Sequence, residues 1–101
     1  MKQFDKAEAE RLVYTYSDLI LRLSYTYLKS THDAEDICQT VFLKLLTSGH
    51  AFDSPAHEKA WIIRTTANAC KDALRSTFRR RTVALEAAAA TAAPEAPDNA
   101  V

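Results

Sequence analysis

A single glycine, Gly49, punctuates a chain of 101 residues. Sandwiches and barrels need many turns and alternating strands, and glycine is the residue that tight turns draw on most. With only three prolines and no dense run of β-branched residues, the chain lacks the punctuation that such folds require. The expected fold class is therefore all-α. A composition of 48% hydrophobic and 26% charged residues suits one soluble domain. No stretch approaches the roughly 18 consecutive apolar residues of a membrane span, and Met1-Lys2-Gln3-Phe4-Asp5 lacks the apolar core of a signal peptide. A cytoplasmic location is expected.

Apolar spacing divides the chain into three helices. Over about residues 5–28, Leu12, Val13, Tyr16, Leu19, Ile20, Leu23 and Tyr27 repeat at intervals of three and four, and Asp5 followed by Glu8 resembles a capping box. Lys29-Ser30-Thr31-His32 is a polar turn that supplies the cap of a second helix, about 33–47. Its stripe is Ala34, Ile37, Cys38, Val41, Phe42, Leu45 and Leu46, with Gly49 as the terminating residue. Ser54 and Pro55 then form a helix start. The third helix is expected from Ala56 to about Arg79, burying Ala60, Ile63, Ala67, Cys70, Leu74 and Phe78. Residues 1–82 make up the domain, and 83–101, rich in alanine and proline, are expected to form a linker or a disordered tail.

Equal numbers of acids and bases, 13 each, conceal a division along the chain. Residues 1–40 carry five basic and seven acidic side chains, whereas residues 57–82 carry seven basic and two acidic. Two partner surfaces are implied, one of them suited to a polyanion.

Projection at 100° per residue places Asp36, Gln39, Thr40 and Leu43 opposite the apolar stripe of the second helix. A leucine displayed among polar neighbours fits a docking face for another helix, and it equally fits a stray exposed leucine. On the third helix Trp61, Arg64, Asn68, Lys71 and Arg75 share an outward strip, continued by Arg79, Arg80 and Arg81. Cations can neutralise phosphates, a tryptophan can stack on a base and an asparagine can pair with a base edge. The alternative is a solvated basic face whose tryptophan tucks into the bundle.

Other chemistry finds little support. Asp33, Glu35 and Asp36 open a helix, where acids favour the positive end of its dipole, and His32, His50 and His57 have no second ligand at metal spacing. Cys38 and Cys70 form neither a CxxC pair nor a metal motif and are read as small core residues. No nucleophile–base arrangement or glycine-rich phosphate loop is present, so no enzyme, metal or cofactor is expected.

Two segments resemble a known family. Asp33-Ala-Glu-Asp-Ile-Cys-Gln-Thr-Val-Phe-Leu-Lys-Leu-Leu46 is similar to region 2.2 of bacterial RNA polymerase sigma factors of the extracytoplasmic-function (ECF) group, whose pattern is close to DAEDxxQEVFLxLW. Ala60-Trp-Ile-Ile-Arg-Thr-Thr-Ala-Asn-Ala-Cys-Lys-Asp-Ala-Leu-Arg75 resembles regions 2.3 and 2.4, of the form WLYRIAxNxAxDxLR. The resemblance covers about residues 8–81. It implies an all-α sigma region 2 bundle of three helices, or four with a short extra one.

By the same resemblance, Asp36, Gln39 and Leu43, with Thr40 where a glutamate is usual, would dock on the clamp helices of the polymerase β′ subunit. Trp61, Arg64, Asn68, Lys71, Arg75 and Arg79 would engage the non-template strand of the minus-ten promoter element. His50, Phe52, Asp53, Ser54 and His57 would belong to a specificity loop that holds a flipped base. Thr65-Thr66 departs from the usual Ile-Ala, and residues 83–101 are not expected to form the helix-turn-helix domain that the group carries second. The family also implies an anti-sigma factor as a partner. A sigma-like module that occupies polymerase or an anti-sigma factor without initiating transcription is the alternative reading.

Overall fold

In a computed structural model, which describes residues 5–48 and 51–92, three helices pack side by side: α1 (Lys6–Leu28), α2 (Thr31–Ser48) and α3 (Pro55–Ala92). Among the described residues there is no strand and no fourth helix. Each helix start follows from a short polar side chain. The Asp5 carboxylate accepts the Glu8 N–H at 2.8 Å, the Ser30 hydroxyl accepts the Asp33 N–H at 3.1 Å, and the Ser54 hydroxyl accepts the His57 N–H at 3.1 Å. Pro55 then occupies the first position of α3, where its missing N–H costs nothing. At the far end of α1, Lys29 adopts a left-handed conformation (φ 57°), and its N–H closes the helix on the Tyr25 carbonyl at 2.7 Å. Gly49, expected to end α2, lies outside the described residues.

The core joins one stripe from each helix: Leu12, Tyr16 and Ile20 of α1, Ile37, Val41 and Leu45 of α2, and Ile62, Ala69 and Cys70 of α3. The first two stripes agree with the spacing, except that Val13 is 45% exposed. The third does not. Of the six positions expected to be buried on α3, only Cys70 is fully so, while Ile63, Leu74 and Phe78 are 38%, 42% and 73% exposed. The inward line instead runs through Glu58, Ile62, Thr66, Ala69 and Cys70, a rotation of about one residue, or 100°. Its side chains are mostly small or polar, so they carry little weight in an apolar pattern. They let α3 approach α1 and α2 closely.

The third helix also runs further than its expected end near Arg79, reaching Ala92. Residues 87–90 are four consecutive alanines, and alanine has the highest intrinsic helix propensity. At about 1.5 Å per residue, 38 residues give α3 a length of about 57 Å against about 35 Å for the 23 residues of α1.

The register has a direct consequence for stability. Ile62→Ala, which empties a fully buried position, is expected to cost about 2–5 kcal/mol, and Phe78→Ala, at an exposed one, to stay within about 0.5 kcal/mol. Urea denaturation followed by circular dichroism measures both. The spacing-based register would give the reverse order.

Candidate nucleic-acid interface and docking face

On α2, Asp36, Gln39, Thr40 and Leu43 are all exposed, and Leu43 shows 64% of its surface to solvent. Local interactions hold two polar members of this face, Asp36 and Thr40. The Thr40 hydroxyl donates back to the Asp36 carbonyl at 3.0 Å, and the Asp36 carboxylate lies 3.8 Å from His32 Nε2, an ion pair when the imidazole is protonated. Leucine and carboxylate thus project together from a regular helix, and Leu43 is largely uncovered.

Arg64, Asn68, Lys71, Arg75 and Arg79 of α3 are exposed as expected, as are Arg80 and Arg81. The rotation of α3 places this strip nearly opposite its buried line. Asp72 pairs with Arg75, which lowers the local positive charge. Trp61 departs from the expected strip. It is half-buried against the core, and its ring meets Phe52 edge-on with centroids 5.8 Å apart. The amphipathic indole reaches the surface while its body supports the loop that precedes α3.

That loop is tied to the first turn of α3. The Asp53 N–H donates to His57 Nδ1 at 3.1 Å, Ser54 caps the helix, and the Phe52 ring packs edge-on against the imidazole at 5.2 Å. Phe52 is half-buried, and Asp53, Ser54 and His57 are exposed. Four of the five expected loop residues therefore gather at the start of α3. His50 lies outside the described residues.

Behind the loop is a group that the sequence reading missed. Glu58 is buried between α3 and α1, where its Oε1 accepts the Tyr16 hydroxyl at 2.7 Å and its Oε2 accepts Arg11 Nη2 at 3.0 Å. Arg11 also forms a fork with Glu8, through Nε and Nη2, both at 3.0 Å. No local signal marks this cluster, because Tyr16 and Arg11 stand 42 and 47 residues away from Glu58. Burial, together with the bond to Glu58, pushes the Tyr16 phenol up to about 12. The bonds to Glu8 and Glu58 hold the Arg11 guanidinium still more firmly in its charged form.

Burial pushes both cysteine thiols upward, at Cys70 with a partial offset from the neighbouring Ser24 hydroxyl. Neither is activated as a thiolate. Among the described residues no group of three or more His, Cys, Asp or Glu could hold a metal ion, and no helix is long and apolar enough to cross a membrane.

Residues 12–81 match the family model for sigma-70 region 2. The chain belongs to that family. Over 75 residues it is 31% identical to the ECF RNA polymerase sigma factor SigW of Bacillus subtilis (strain 168), covering 74% of this chain and 40% of that protein. Over 76 residues it is 33% identical to the ECF RNA polymerase sigma factor SigE of Mycolicibacterium smegmatis (strain ATCC 700084 / mc(2)155), covering 75% of this chain and 29% of that protein. It therefore spans well under half the length of either relative and corresponds to an ECF region 2 domain. No solved structure matches it.

Burial of the Tyr16 phenol, together with its bond to Glu58, sets a pH dependence. A phenol whose folded value lies above its ordinary value near 10 contributes stability that is fully present below pH 10 and lost as the pH rises toward 12. The urea midpoint is expected to fall over that interval more steeply for the native chain than for Tyr16→Phe.

Proposed function

We propose that the chain is the polymerase-docking and promoter-opening domain of a transcription initiation factor. The face of α2 formed by Asp36, Gln39, Thr40 and Leu43 binds the β′ clamp helices of core RNA polymerase. The strip of α3, with the loop before it, takes the unpaired non-template strand of the minus-ten element. The observation that carries this reading is that Leu43 stands 64% exposed between polar neighbours while the basic strip of α3 turns away from the core. Two chemically different faces are thereby available on one rigid bundle.

Docking comes from an apolar anchor ringed by polar groups, the usual composition of an energetic centre in a helix-on-helix contact. Capture of DNA divides between general and specific terms. Arg64, Lys71, Arg75 and Arg79 supply salt-sensitive attraction to phosphates, which does not depend on sequence. Asn68 can read a base edge, and the exposed part of Trp61 can support an unstacked base, worth about 1–3 kcal/mol against an unpairing cost of a few kcal/mol. Affinity for isolated DNA is low because few cations line one side, and the polymerase channel completes the site. The polymerase supplies the catalysis, which places the domain in the bacterial cytoplasm. An anti-sigma factor would act by covering these same faces.

Separate mutations should separate the two contacts. Leu43→Ala and Asp36→Ala are expected to weaken binding to core RNA polymerase by about tenfold or more in a titration of labelled chain. Asn68→Ala should leave that affinity unchanged and weaken capture of a fork-junction promoter by the chain–polymerase complex by about fivefold to a hundredfold. Equal loss of both activities in Asn68→Ala would show that its face is misassigned. Arg64→Ala is expected to reduce the slope of log affinity against log salt by about 0.7.

A further inference from the structure

Glu58 is the one buried carboxylate among the described residues, and its position is informative. It lies in the first turn of α3, next to His57 and three residues before Trp61. Both its oxygens are held by donors on α1, the Tyr16 hydroxyl and the Arg11 guanidinium. The adjoining flank of the same turn holds the loop: His57 accepts the Asp53 N–H, Ser54 caps the His57 N–H, and Phe52 packs on the rings of His57 and Trp61. Glu8, Arg11 and Tyr16 share a cleft with Phe52, Asp53 and Ser54. An apolar side chain at position 58 would hold α3 by burial, which has no preferred direction. A carboxylate gripped by two donors resists rotation of the turn as well as separation, because hydrogen bonds weaken steeply with angle.

We propose that Glu58 is the positioning residue of the strand-reading loop. Held by Tyr16 and Arg11, it fixes the orientation of the first turn of α3 and, through His57 and Trp61, the pose that Phe52 and Asp53 present to an unpaired base. Glu58 itself touches no DNA. The inference rests on the reading of the loop and strip as a minus-ten interface, and it adds to that reading the group that sets base discrimination.

The test uses the full chain bound to core RNA polymerase and a pool of fork-junction DNA with a randomised non-template overhang, the retained strands being sequenced. Phe52→Ala identifies the overhang positions whose preference depends on the loop. Tyr16→Phe removes one oxygen and leaves the ring in the core, and Glu58→Gln keeps the side-chain volume; circular dichroism verifies folding, and Tyr16→Phe decides if Glu58→Gln does not fold. Both variants are expected to keep polymerase affinity within about twofold and to flatten base preference about fivefold at the Phe52-dependent positions alone. Unchanged preference at those positions overturns the proposal. Uniform loss at every position together with weakened polymerase binding also overturns it, since that pattern belongs to a purely structural role. A native complex that enriches no sequence at all refutes the minus-ten reading itself, and this inference with it.

Discussion

The seam between α1 and α3 governs what the rest of the molecule can present. A carboxylate removed from water must be paired, and Glu58 is paired on both oxygens by groups of α1. Arg11 is about half-exposed, so solvent screens its attraction; the Tyr16 hydroxyl, buried at 2.7 Å, is the stricter constraint. Once Glu58 faces α1, Ile62, Thr66, Ala69 and Cys70 must face inward with it. Arg64, Asn68, Lys71 and Arg75 are then left outward. The register of one helix thereby determines which chemistry reaches the surface.

The same register leaves Ile63, Leu74 and Phe78 partly or largely exposed beside the basic strip. Small residues on the inner face permit close packing, and the larger ones fall on a flank that α1 and α2 do not cover. On α2 the division is cleaner: every position of its apolar stripe is buried or half-buried, and Leu43 alone among its large apolar residues stands well clear of the core.

These contrasts explain what could be read in the sequence. The stripes of α1 and α2 were legible because leucine, isoleucine, valine and tyrosine recur at helical spacing, and the caps at Asp5 and Ser54 because short polar side chains precede the first turns; before α2 only the polar turn was legible, and the structure singles out Ser30 within it. The outward set of Asp36, Gln39, Thr40 and Leu43 followed from the strong periodicity of α2. On α3 the apolar pattern pointed to Leu74 and Phe78, because an inner face built from Thr66, Ala69 and Glu58 has almost no hydropathy signal. The Glu58 cluster was invisible for a different reason: its partners lie on another helix, and only the packing of α1 on α3 brings them together. Half-burial of Trp61 depends in the same way on a tertiary neighbour, Phe52.

The central claim is that α2 meets the polymerase while α3 meets the promoter strand. Site-specific photo-crosslinking tests it most directly, with a benzophenone side chain replacing Leu43 in one derivative and Asn68 in another, each assembled with core RNA polymerase and a fork-junction promoter. The expected result is that the probe at position 43 labels the β′ subunit with or without DNA, and the probe at position 68 labels the non-template strand. Labelling of polymerase by position 68 and of DNA by position 43, or of neither target by either probe in a folded complex, would contradict the assignment of the two faces.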